Sequence, residues 1–124
     1  MIRRSTLALI AALALPAAAH ADGDPAKGAI LFKQRCAVCH VAAPGAASTV
    51  GPNLFGVVGR KAASAPGFNY SDALKASGLT WSAAEIDSFI TAPNKKVPGT
   101  RMFISVPSPA DRADITAFLA SLKK

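Results

Sequence analysis

The sequence predicts an all-α domain with unusually long loops. Apolar residues recur at helical offsets near the C-terminus, capping and turn residues mark several helix ends, and no alternating run of Val, Ile or Thr offers a strand. The 124 residues suit one domain, and no internal repeat or linker suggests a second. Arg3 and Arg4, the short apolar run Leu7 to Leu15 and the small residues of Ala19-His20-Ala21 read as a secretory signal peptide over residues 1–21, cleaved to leave a domain of 22–124. The apolar run falls short of the about 20 residues that cross a bilayer, so no stable membrane insertion is expected.

Asp24 caps a helix that Pro25 opens and that runs to the first cysteine. Val41 to Asn69, rich in Gly, Pro, Ser and Asn, reads as a long loop. Ser71 caps a short helix that Gly78 closes, and Ser82-Ala83-Ala84-Glu85 has capping-box spacing for another that ends before Pro93. Ala92 to Pro107 reads as a second irregular segment. Ser108-Pro109 starts a final helix with Ile115, Phe118, Leu119 and Leu122 on one face. More than forty residues of loop in so small a domain need another source of order, and a large planar cofactor would supply it.

Cys36-Ala37-Val38-Cys39-His40 has the C-x-x-C-H spacing of covalent haem attachment. Two cysteines at the end of a helix reach the two vinyl groups of a porphyrin, and the adjacent histidine supplies an axial nitrogen. The competing readings are a disulfide in an exported protein and a thioredoxin-like dithiol. Neither needs a histidine after the second cysteine, and the βαβ context of the dithiol is missing. A zinc site would lack a fourth ligand. After cleavage His40 and Met102 are the sole histidine and methionine, so a second axial ligand comes from Met102 or a lysine. A lone methionine is commonly core filler, but the stiff segment Pro98-Gly99-Thr100-Arg101 before Met102 favours the ligand reading.

Taken together, residues 24–124 resemble the class I, mitochondrial-type cytochromes c. Gly28 and Phe32 match the family's first helix, Ile115 and Phe118 its last, and Gly51-Pro52-Asn53-Leu54, Gly56, Gly59-Arg60, Phe68, Tyr70-Ser71, Thr80-Trp81 and Pro93 to Met102 match its loops. The resemblance implies the class I fold, four to five helices with long loops wrapped around one covalent haem c. It implies that the Pro52 carbonyl accepts from the His40 ring, that Arg60, Tyr70 and Trp81 face haem propionates, and that Thr100 helps hold the exposed side of the pocket. His40 and Met102 become the metal ligands. Departures are Phe89 where many relatives have tyrosine, Leu74 in place of asparagine, Asn94 in place of lysine, and an aromatic, Phe103, directly after Met102.

The expected function is that of a monomeric electron carrier, not an enzyme, passing single electrons by outer-sphere transfer in the bacterial periplasm, a respiratory chain being one setting. Rival readings are an enzyme with an open iron position and a dithiol exchange protein. Residues 22–124 carry a formal charge of +5, and export disfavours nucleic acid as the partner. Arg35, Lys95, Lys96 and Arg101 flank the two haem-binding segments and suggest a basic face for acidic redox proteins.

Overall fold

The computed structural model describes residues 23–123, and the expected signal peptide lies outside the described residues. Five helices form among them: α1 Pro25–Arg35, α2 Asp72–Ala76, α3 Ala83–Thr91, α4 Pro93–Lys96 and α5 Pro109–Ser121. The side chain of Asp24 accepts from the backbone N–H groups of Ala26 at 2.9 Å and Lys27 at 3.3 Å, so two donors that the first turn leaves unpaired are satisfied. Ser71, Ser82 and Ser108 do the same for α2, α3 and α5, each accepting at 3.2 Å.

The scaffold is the crossing of α1 on α5. At Gly28 a Cβ would collide with the carbonyl oxygen of Asp114, so the helices approach to backbone contact there. Below this point Phe32 and Phe118 pack with ring centroids 5.3 Å apart at 52°. The Asp24 N–H donates to the Asp114 carboxylate at 2.7 Å, pinning the start of α1 to α5. Ile115, only 2 % exposed, joins Phe32 and Leu119 in the buried cluster. Each such side chain contributes about 1.5–3 kcal/mol on burial.

Helix α3 packs on α5 and buries Ile86, Phe89 and Ile90, the face that helical spacing places together. Phe89 packs against Trp81 with ring centroids 5.1 Å apart and tilted by 58°. The segment Ala92 to Pro107, expected to be irregular throughout, contains α4. Pro93 opens that turn, where its missing N–H costs nothing, and Pro98 stands shortly after its end. The loop Val41 to Asn69 contains no helix. It is tied to the chain before α3 by an isolated antiparallel bridge between Lys61 and Thr80, with Trp81 N–H donating to the Arg60 carbonyl at 2.8 Å. Among the described residues no helix is long and apolar enough to cross a membrane.

Candidate haem site

The last turn of α1 runs straight into the C-x-x-C-H segment. The N–H groups of Cys36 and Ala37 both donate to the Phe32 carbonyl, and His40 N–H donates to the Cys36 carbonyl at 2.9 Å. This tight turn brings Cys36, Cys39 and His40, all half-buried, onto one cavity of about 720 Å3. Its walls are largely apolar: Phe32 from α1, Ile86, Phe89 and Ile90 from α3, Ile115 and Leu119 from α5, and Leu54, Val57, Leu74 and Trp81 from the connecting segments. Pro52, Arg60, Tyr70, Thr100 and Met102 line the same cavity, so every site residue expected from the sequence meets there.

His40 is held from two sides. Its ring Nδ1 donates to the Pro52 carbonyl at 2.8 Å, which leaves the lone pair on Nε2. Gly51 supports the face of the ring, where a Cβ would stand 2.5 Å from Cε1. Burial holds the imidazole below the usual histidine range, and the hydrogen bond to Pro52 offsets part of that shift. A neutral, oriented imidazole is the form that ligates a metal.

Cys36 and Cys39 form no disulfide with each other. Burial pushes the Cys36 thiol up to about 11; the Arg35 charge pulls the other way and Cys39 adds to the rise. A dithiol exchange site works through a depressed thiol pKa, so Cys36 is poorly suited to that chemistry. Among the described residues no cluster of three or more His, Cys, Asp or Glu side chains is arranged to hold a metal ion.

The polar groups of the cavity have specific partners. Arg60 donates through Nη1 to the Phe55 carbonyl and through Nη2 to the Asn53 carbonyl, both at 3.0 Å, while its Nε is buried without a hydrogen-bond partner. The Tyr70 hydroxyl accepts from Ala65 N–H at 2.9 Å and keeps its own proton to donate. Trp81 is buried, and Thr100 Oγ1 lies 3.4 Å from the Met102 N–H that it accepts. Phe103 sits at the cavity rim but is 74 % exposed, and Leu74 packs partly buried against the core.

Several working residues carried no assigned role at the sequence level. Asn53 braces the loop, donating to the carbonyls of Ala43 and Ala46 and accepting from Phe55 N–H. Thr49 donates to the Cys39 carbonyl at 2.9 Å, tying that loop to the attachment turn. The cluster Gly51-Pro52-Asn53 was the available signal, since such residues build turns through their side chains. Lys61 joins Arg35, Arg60 and Arg101 on the cavity lining, which includes no carboxylate. Of the four residues expected to form a basic face, Arg35 is ion-paired to Asp111 at 3.2 Å and Lys96 to Glu85 at 2.7 Å. Arg101 donates to the Asn69 carbonyl, and Lys95 is exposed.

Residues 25–123 match the cytochrome c family. The chain is 54 % identical over 112 residues to cytochrome c2 of Rhodomicrobium vannielii, covering 90 % of this chain and 89 % of that protein. Its fold matches cytochrome c2 from Rhodospirillum centenum with a TM-score of 0.78 at 35 % identity, over 82 % of this chain and all of that one. It matches cytochrome cH from Methylobacterium extorquens with a TM-score of 0.73 at 44 % identity, over 80 % and 99 % of the two chains. With the family match spanning nearly every described residue and more than half the aligned positions shared with a cytochrome c2, the chain belongs to the cytochrome c family.

Proposed function

We propose that this cytochrome carries single electrons between redox proteins of the bacterial periplasm, with one haem held by Cys36 and Cys39 and its iron ligated by His40 and Met102. The observation that carries the reading is the His40–Pro52 hydrogen bond: it turns the free Nε2 lone pair of a neutral imidazole toward chemistry in a cavity that both cysteines and Met102 also line. Family membership makes the chain an electron carrier with a covalent haem c, not an enzyme.

The residues present fit the group. The cavity is apolar enough for a porphyrin, while its cations, the unpartnered Nε of Arg60 and the free Tyr70 hydroxyl proton suit two carboxylates. When bound, the haem supplies a one-electron iron couple. The chain does the rest. Cys36 and Cys39 tether; Pro52 and Gly51 fix the His40 ring; Met102 offers a soft sulfur; Arg60, Tyr70 and Trp81 present donors to negative charge. The apolar side chains of α3 and α5 exclude water, so added positive charge is disfavoured there. With His40 and Met102 both held in place as its ligands, the iron would have no position open to a substrate, and rearrangement would stay small as an electron passes.

For docking, Lys61, Lys95 and Arg101 form the basic face toward acidic redox proteins, with Arg35 and Lys96 contributing less because each faces a carboxylate. Residues 1–21 serve as the export signal in this reading. Denaturing mass analysis tests the tether: the purified protein should weigh as the chain from about Asp22 plus one haem, retained through acid-solvent extraction. Release of the haem on extraction contradicts the reading, as does full maturation of a variant carrying Cys39→Ser.

A further inference from the structure

The segment that carries Met102 is held at both ends by carboxylates of α3. At its exit, Asp87 accepts from Arg112 Nε at 2.9 Å, and Arg112 Nη1 donates to the carbonyls of Val106 and Pro107. The backbone adds Val106 N–H to the Ile90 carbonyl at 2.8 Å. At its entry stands Glu85. The capping-box spacing would turn that side chain back onto Ser82 N–H, but Ser82 N–H donates to the Thr80 carbonyl instead. The carboxylate is free to reach across to α4, where Lys96 Nζ lies 2.7 Å from Oε2. Oε2 is buried from solvent and has no aligned hydrogen-bond donor, so the ammonium is its charge partner.

Between the two ends Val97 and Thr100 are buried and Thr100 Oγ1 accepts from Met102 N–H, but beyond Met102 the attachments are sparse. Before it, Asn94 Oδ1 accepts from Gly99 N–H at 3.2 Å, Thr100 N–H donates to the Val97 carbonyl, and Arg101 donates to the Asn69 carbonyl. Among the described hydrogen bonds none involves Phe103, Ile104 or Ser105, all exposed. A segment with few internal bonds opens at a rate set by its anchors.

We propose that Glu85 is a positioning residue for Met102: through its ion pair with Lys96 it sets how often the segment from Arg101 to Ser105, which follows the buried Val97 and Thr100, swings away from the cavity. The inference rests on Met102 being the iron ligand. It goes further in assigning the lability of that ligand to a charge on another helix. Removing one member of a half-buried pair leaves the other charge poorly compensated, so loss of Glu85 and loss of Lys96 have the same effect through one contact.

The test uses ferric holoprotein and imidazole as the incoming ligand, read as the limiting binding rate at saturating imidazole, where detachment of Met102 governs. Glu85→Gln and Lys96→Met should each raise that rate about threefold to tenfold. The double variant should match the singles, not multiply them. The wild-type rate should rise with salt while that of Glu85→Gln stays flat, a difference that simple loss of packing would not produce. Exchanging the two charges, Glu85→Lys with Lys96→Glu, should bring the rate back toward wild type. If wild type lacks the far-red thioether band, the ligand reading and this inference fall together. A band present in wild type with imidazole rates unchanged in both single variants overturns the Glu85 clamp alone.

Discussion

The ring N–H of His40 donates to the carbonyl of Pro52 at 2.8 Å, and the residue before that proline, Gly51, lies against the same ring. One short stretch of loop therefore sets both the tautomer and the orientation of the imidazole. Gly51→Ala should force the ring or the loop to move, costing about 1–3 kcal/mol for the overlap and about 1 kcal/mol for a weakened hydrogen bond. Denaturant unfolding of the holoprotein measures it, and a loss below about 0.5 kcal/mol would show that the contact is slack.

At the other end of the scaffold, Gly28→Ala separates two effects by sign. Helix propensity alone predicts a gain of about 0.5–1 kcal/mol for alanine inside α1. The Asp114 carbonyl occupies the place of the new Cβ, so the α1–α5 crossing must open. Net destabilisation by at least about 1 kcal/mol is expected. A stabilised variant would mean that the two helices separate at little cost.

Arg60→Lys keeps the charge and loses the fork that donates to Asn53 and Phe55. Two half-buried carbonyls then share at most one charged donor, for a cost of about 1–3 kcal/mol. Hydrogen exchange should quicken across the Asn53–Arg60 loop more than in α5. Uniform exchange in both would place the role of Arg60 elsewhere.

The proposed docking face predicts an order among its cations. Lys95→Gln and Arg101→Gln should slow association with a physiological redox partner more than Arg35→Gln does, since Asp111 already offsets Arg35. The difference should shrink as salt shortens the screening length to about 8 Å. Equal rates for all three variants at low salt would place the docking face elsewhere.

What the sequence made legible was local chemistry. Asp24, Ser71, Ser82 and Ser108 mark helix starts because a cap bonds to a backbone group two or three residues on. The C-x-x-C-H turn is equally local. Helix α4 was hidden because four residues between prolines carry no period, and Pro93 serves a helix start as well as a loop. The ion pairs were hidden for a different reason: Arg35 finds Asp111, and Arg112 finds Asp87, across the packing of helices distant along the chain. Treating Arg35 and Lys96 as free surface charge followed from reading charges in sequence order. Asn53, by contrast, sits in a local turn whose geometry only the folded loop makes plain.

Ligation of iron by Met102 is the central claim, and far-red absorption of the ferric holoprotein tests it most directly. Met102 lines the cavity with His40, and Thr100 and Asn94 brace the segment that presents it. The wild type should show the weak charge-transfer band of thioether ligation. In Met102→Ala the band should vanish, the reduction potential should fall because the soft sulfur that favours ferrous iron is gone, and azide or carbon monoxide should bind more readily. A band that persists in Met102→Ala at an unchanged potential would contradict the assignment.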